Sequence, residues 1–324
     1  MKGPLFRRLV SSLILLWLIV SFTFVLLQIA PGDPLATLTQ GTSGKLPPEQ
    51  IARLERIYGL DRPVHEQYFS WLSSALTGDW GYSITQQRPV TRIIAEALPT
   101  TLSLALAAIL VEYLIAIPLG VWAARRAGTW KDHALRGASL LLWAMPAFWA
   151  GLMALLVFSY WLPWFPGGHS SSPMAHQLPW FRQLWDRLHH LTLPALVLGV
   201  LAAGGTARFV RNGLLEILGQ DFIRTARAKG LPERRVVWVH GMRNAMVPVL
   251  QILGLSLPIL LNGSLVIEIV FSLPGLGRAT VQAIAARDYP VLLATTAFSG
   301  VLVIGANLLV DLVHTALDPR VRRA

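Results

Sequence analysis

Six long apolar runs with almost no charge in them constrain this chain more than any other feature. Leu9–Ala30 is 22 residues without a charge, and Ala138–Leu162 is also charge-free. Leu98–Ala124 carries only Glu112, Ala245–Phe271 only Glu268, and Val291–Ala316 only Asp311. Leu191–Ala207 is shorter and holds Gly199, Gly204 and Gly205. Each run reaches or approaches the ~20 residues a helix needs to cross the hydrocarbon core. There the chain must satisfy its own backbone polar groups, so a spanning segment is a helix or a strand of a closed barrel. Barrel strands alternate apolar and polar residues, and these runs do not. The expected fold is all-α: a polytopic membrane protein with six transmembrane helices.

Composition agrees. Hydrophobic residues make up 54% and charged residues 14% of the 324, too apolar for an ordinary soluble surface. The net charge of +11 is unevenly placed. The N-terminus, the 125–136 loop, the 208–243 loop and the C-terminus hold 18 basic and 5 acidic residues, whereas the other connecting segments hold 10 and 9. The excess lies in alternate loops, which predicts that these loops and both termini face the cytoplasm. No basic stretch is long enough for a folded nucleic-acid-binding domain, so no nucleic-acid partner is expected. The chain has no cysteine, which excludes disulfides, thiol catalysis and cysteine metal ligands. The first run follows Lys2, Arg7 and Arg8 but is longer than a usual signal-peptide core. Gln28-Ile29-Ala30 is also a poor cleavage site, so this run is expected to stay as a span.

The segment 31–97 is then the largest region outside. Pro31-Gly32-Asp33-Pro34 reads as a turn, and Pro47-Pro48-Glu49 can start a helix through Gln50–Tyr58 that stops at Gly59. Val64–Leu76 has the pattern of an amphipathic helix with Tyr68, Trp71 and Leu72 on one side. Gly78-Asp79-Trp80-Gly81-Tyr82-Ser83 is a turn cluster. The aromatics suit either a cap at the membrane interface or a collar that receives a soluble protein.

Between the fourth and fifth runs lies Asp221-Phe-Ile-Arg-Thr-Ala-Arg-Ala-Lys-Gly230-Leu-Pro232. The spacing predicts a short helix with Phe222, Ala226 and Gly230 on one face. A glycine suits the position that closes a helix, and Pro232 with Glu233 suits the start of another. The product is a helix-turn-helix with a small-residue face and a basic rim, able to seat in a groove on another protein. A basic loop that merely obeys topology rules has the same charge.

The loop resembles the coupling loop of importer-type ABC permeases, whose usual form is Glu-Ala-Ala, three residues, Gly. Arg224, Thr225, Ala226 and Gly230 hold those places here. With Arg243-Asn244-Ala245 and Pro248, it is most similar to the dipeptide, oligopeptide and nickel branch. The likeness extends to Gly32-Asp33-Pro34, Gly78–Ser83, Pro99-Thr100-Thr101-Leu102, Glu268–Gly277, Arg287-Asp288-Tyr289-Pro290 and Asp318-Pro319-Arg320. It implies an importer-type ABC permease fold in a bacterial inner membrane, with residues 1–324 as one permease domain. Within that domain, 31–97 would be an extracytoplasmic cap and 208–244 a cytoplasmic coupling loop. The resemblance also implies a second homologous permease, an extracytoplasmic binding protein and two cytoplasmic ATPase subunits as partners. The chain itself would bind no cofactor, and ATP would be used by those subunits. Asp221, Arg224, Thr225, Ala226, Arg227, Lys229 and Gly230 are the expected coupling residues.

Charges inside a membrane are costly and usually face an interior or a water path. Glu112 and Glu268 are therefore candidates for a pathway that meets a peptide amino group, or for helix-to-helix pairing. Asp311 suits pairing at the inner interface. Glycines and prolines within the spans suit close packing first and bending second. The chain lacks a P-loop and a His-Glu-x-x-His motif, and no histidine cluster or Gly-x-Ser-x-Gly context points to an enzyme. Short peptides are the expected cargo. The alternatives are nickel or a metal chelate on the same fold, or a secondary transporter without ATPase partners.

Overall fold

The computed structural model describes residues 2–30, 61–246 and 263–317, with positions 47, 49, 50, 52, 53, 56, 59 and 260. Apart from one bridge between Tyr82 and Pro89, the described residues form helices and turns. In chain order the helices are α1 (Lys2–Ile29), α2 (Val64–Leu76), α3 (Val90–Ala124), α4 (Trp130–Ala144) and α5 (Ala147–Ala154). A π-helical stretch, Leu155–Trp161, continues α5. Then come α6 (Trp180–Leu218), α7 (Asp221–Ala228), α8 (Glu233–Arg235) and a π-helical turn at Val236–Gly241. A helix over 263–270, α9, precedes α10 (Leu276–Ala286) and α11 (Tyr289–Leu317).

Phe6–Ile29 of α1, all of α3 and α6, and Tyr289–Val310 of α11 are long and apolar enough to cross a membrane. The fifth expected run lies largely outside the described residues, and α9 is its far end. So do Gly32–Pro34, most of the helix expected at Gln50–Tyr58, Pro248, and Asp318–Arg320.

Two spans differ from expectation. The third is not one straight helix: α4 and α5 with its continuation meet at 98°. The break is at Met145-Pro146. The ring of a proline pushes the preceding residue out of the helical region, and Met145 sits at φ −74°, ψ 127°. Met145 N–H closes the first helix on Leu142 O (3.3 Å), and Ala150 N–H opens the second on Pro146 O (3.0 Å). The fourth is far longer than its apolar run. α6 has 39 residues, about 58 Å at the helical rise, so it projects beyond a bilayer core. Pro194 lies inside it without ending it.

The chain divides into two compact units, residues 1–100 with 274–304, and residues 101–273 with 305–324. In the first, Val90, Ile93, Ile94 and Ala97 form one stripe of α3 at helical spacing and pack with Leu276, Ala283, Val291 and Ala294. The α2 helix lies where its pattern predicts. Its Tyr68 and Trp71 rings meet Phe24 of α1 at 5.3 and 6.2 Å, and Tyr68 shares a hydrogen bond with Ser21 (2.6 Å). The aromatic stripe is thus a packing seam between two helices.

In the second unit α6 is the hub. Over half of its most apolar window is buried, 56% against 11% for α1. Small residues allow this. A Cβ on Gly199 would come within 2.7 Å of Ala108 O on α3, and one on Gly204 within 2.7 Å of Ser139 O on α4. Such contacts let helix backbones touch where apolar burial gives no driving force between helices. Leu104, Ala108, Leu193, Leu198, Ile267 and Phe271 fill the core around them.

Candidate coupling site

The cytoplasm-predicted loop is built onto the end of α6. That helix stops at Gly219, and Gln220 (φ −78°, ψ 156°) starts α7. Asp221 lies in the first turn and Arg227 in the last, which matches the helix dipole at both ends. Arg224 Nη1 reaches Asp221 Oδ1 at 3.3 Å on the open face. Ile223 is fully buried and Ala226 nearly so, against Ile217, Leu218, Leu231 and Val236.

This orientation differs from the expected small-residue face. Of the two bulky apolar groups of the helix, Ile223 turns inward against the end of α6 and Phe222 does not. Ala226, three residues on from Ile223, follows it inward. Asp221, Phe222, Arg224, Thr225, Arg227, Lys229 and Gly230 stay exposed. The outward surface is a polar and basic face with Phe222 on it, and the alanine is an inward anchor.

After α7 the chain reverses at Gly230, φ +74°, a left-handed conformation that β-branched residues adopt at a cost. Gly230 N–H bonds Arg227 O (2.9 Å), and Lys229 N–H bonds Thr225 O (3.1 Å). Pro232 then caps α8. A two-point ion pair spans the turn: Arg227 Nη2 to Glu233 Oε1 at 2.8 Å and Nε to Oε2 at 3.2 Å. The guanidinium holds the Glu233 carboxyl below its ordinary range, with a smaller contribution from Arg125 of the preceding basic loop. The mounting continues inward, where Val237, Met242 and Ala245 pack with Val210 and Leu214 of α6 and Val121 and Ala124 of α3.

A second brace had no motif to announce it. Asp132 is fully buried and takes a forked pair from Arg211 of α6, at 2.5 and 2.6 Å, and a bond from Gly128 N–H at 3.0 Å. The signal available in the sequence was a single acid within a basic loop. This pair ties the start of α4 to α6 on the side that carries α7.

Glu112 and Glu268 are both fully buried within the second unit. Thr206 Oγ1 of α6 donates to Glu112 at 2.5 Å, and Thr101 Oγ1 of α3 donates to Glu268 at 2.7 Å. Each carboxylate sits in a joint between helices rather than on an open face, which is the geometry of helix-to-helix pairing. The Asp311 side chain lies outside the described residues. His189 and His190 bond the carbonyls of Trp164 (2.9 Å) and Asp186 (2.8 Å).

Residues 116–323 match the family model described as the binding-protein-dependent transport system inner membrane component. Residues 1–105 match the model for the N-terminal part of such membrane components. The chain belongs to this family. It is similar to the oligopeptide transport system permease protein AppB of Bacillus subtilis (strain 168), 39% identical over 322 residues and 99% of each chain. It is also similar to the dipeptide transport system permease protein DppB of Escherichia coli (strain K12), 36% identical over 320 residues and 94% of each chain. The protein is therefore a multi-pass permease component of the inner membrane. Its long apolar helices, its projecting α6 and the bracket of α7 and α8 are parts of that permease.

Proposed function

We propose that this permease carries short peptides inward as one subunit of an ATP-driven importer. A binding protein outside delivers the peptide, a second homologous permease completes the channel, and two cytoplasmic ATPase subunits supply the power. The observation that carries the reading is end-to-end identity, at 39%, with a permease named for oligopeptide transport. The exposed face of α7 with the Gly230 turn is the seat of an ATPase subunit. Asp221, Arg224, Thr225, Arg227 and Lys229 make the polar contacts there, and Ala226 anchors the helix from below. Force enters through this bracket and passes into α6 and α3, on which it is mounted. Residues 31–97 face outward in this reading and 208–244 inward, as the basic residues indicate.

The test is uptake in cells lacking other peptide importers. Growth on a short peptide as sole source of a required amino acid should depend on this chain and on ATP. Gene-dependent nickel accumulation without a peptide phenotype overturns the cargo. Uptake that continues without any ATPase subunit overturns the coupling.

A further inference from the structure

Two motifs, Gly78–Ser83 and Arg287–Pro290, are not used by the coupling mechanism. In the first unit residues of both line one open cleft of about 550 Å³, which α2 and the last turns of α1 also line. That volume suits a small ligand. Asp288 is almost fully buried and pins the two motifs together. It accepts hydrogen bonds from Ser83 Oγ (2.5 Å), Thr85 Oγ1 (2.7 Å) and Thr85 N–H (3.1 Å). The clamp holds Tyr82 and Tyr289 as walls of the same space. Trp71 and Trp80, edge to face at 6.3 Å, form another wall. Among the described residues that line the cleft, Arg62 is the one cation and Asp79 the one anion, and both are exposed to solvent. Asp79 is fixed by its own turn, where Oδ1 accepts the Gly81 N–H at 3.0 Å.

A cavity with aromatic walls, one positive group and one negative group fits a small zwitterion of varied side chain. We propose that it is a binding site for a short peptide on the permease itself, with Arg62 taking the carboxylate terminus and Asp79 the ammonium terminus. The aromatic walls accept any apolar side chain, so the site reads termini and leaves sequence unread. This rests on the peptide-importer reading, in which the α1 end that carries the cavity faces outward.

The test is equilibrium binding of tri-alanine to the full-length chain, purified with its co-assembled subunits and freed of binding protein. Three peptides are compared: tri-alanine, its C-terminal amide and its N-acetyl form. The wild type should bind tri-alanine saturably and each blocked form about three- to tenfold more weakly, as expected for partly solvated charge-assisted bonds. Arg62→Gln should remove the penalty for the amide alone. Asp79→Asn, which keeps the oxygen that accepts from Gly81, should remove the penalty for the acetyl form alone. No saturable binding up to roughly 10 mM, a range where affinity is negligible, overturns the inference. So does equal binding of all three peptides. ATP-driven uptake is measured on the same preparation after reconstitution with binding protein. Peptide uptake without this binding leaves the proposed function standing and removes the cavity from it. Binding without uptake supports the cavity and removes the function.

Discussion

Glu112 and Glu268 show what a buried carboxylate does when a hydroxyl on another element meets it. Thr206 and Thr101 each donate to one of them, and both acids are fully buried. Removing a hydroxyl from such a joint costs about 1–3 kcal/mol, because the acceptor stays buried. Thr206→Val and Thr101→Val should therefore lower the melting temperature of the purified chain while its transport rate stays near wild type. A large loss of rate with unchanged melting would assign these acids to the pathway instead. Asp132 and Arg211 form a stronger joint, with side chains 1% and 13% exposed. Breaking one partner of a buried pair costs about 3–5 kcal/mol, since it strands the other charge. Asp132→Asn should therefore destabilise strongly. The double variant Asp132→Leu with Arg211→Met should recover much of the loss, read as a thermal melt in detergent.

At the scale of elements, α7, the Gly230 turn and α8 form a bracket with a buried apolar side and an exposed polar side. Ala226 lies inward, so Ala226→Glu puts a charge into the cluster of Ile223 and Val236. It should lower the amount of folded chain in the membrane. Arg224 is outward, so Arg224→Glu should leave that amount unchanged and reduce ATPase co-purification. If the two variants show the same profile, α7 has no inner and outer side in the cell. Gly230→Val forces a β-branched residue to φ +74°. It should insert normally and uncouple ATP hydrolysis from uptake. The ion pair across the turn adds a pH expectation. The Glu233 carboxyl is held below its ordinary value of 4.5, first by the hydrogen bonds from Arg227. A lowered value means the pair's contribution is complete above 4.5 and is lost progressively as pH falls from there through the lowered value. ATPase co-purification should thus be flat from neutral pH down to 4.5 and fall below it.

For the whole molecule, the first question is which way it sits. The chain has no cysteine, so single introduced cysteines report cleanly. Thr77→Cys, at the end of α2, should react with an impermeant thiol reagent in cells with a permeabilised outer envelope, and Gln220→Cys should not. The reverse pattern would invert the molecule and move the bracket away from any cytoplasmic ATPase. Much of the architecture was legible beforehand, because membrane insertion is governed by local quantities. A run such as Leu98–Ala124 must be a helix wherever it goes, since hydrocarbon offers its backbone no other partner. The amphipathic pattern of Val64–Leu76 and the Gly230-Leu-Pro232 turn are equally local, and α2 and the turn stand where those residues place them. Some features were not local. Whether Pro146 breaks a span while Pro194 does not depends on what surrounds each, and both are prolines in apolar runs. That Ala226 turns inward depends on Ile217, Leu218, Leu231 and Val236 being there to receive Ile223. The joints Glu112–Thr206, Glu268–Thr101 and Asp132–Arg211 link residues far apart in sequence, and no periodicity reports such a pairing. Hydropathy and flanking charge set which segments enter the bilayer and which end they favour. Side-chain packing, which is short-ranged in space and unlimited in sequence separation, set which of their polar groups meet.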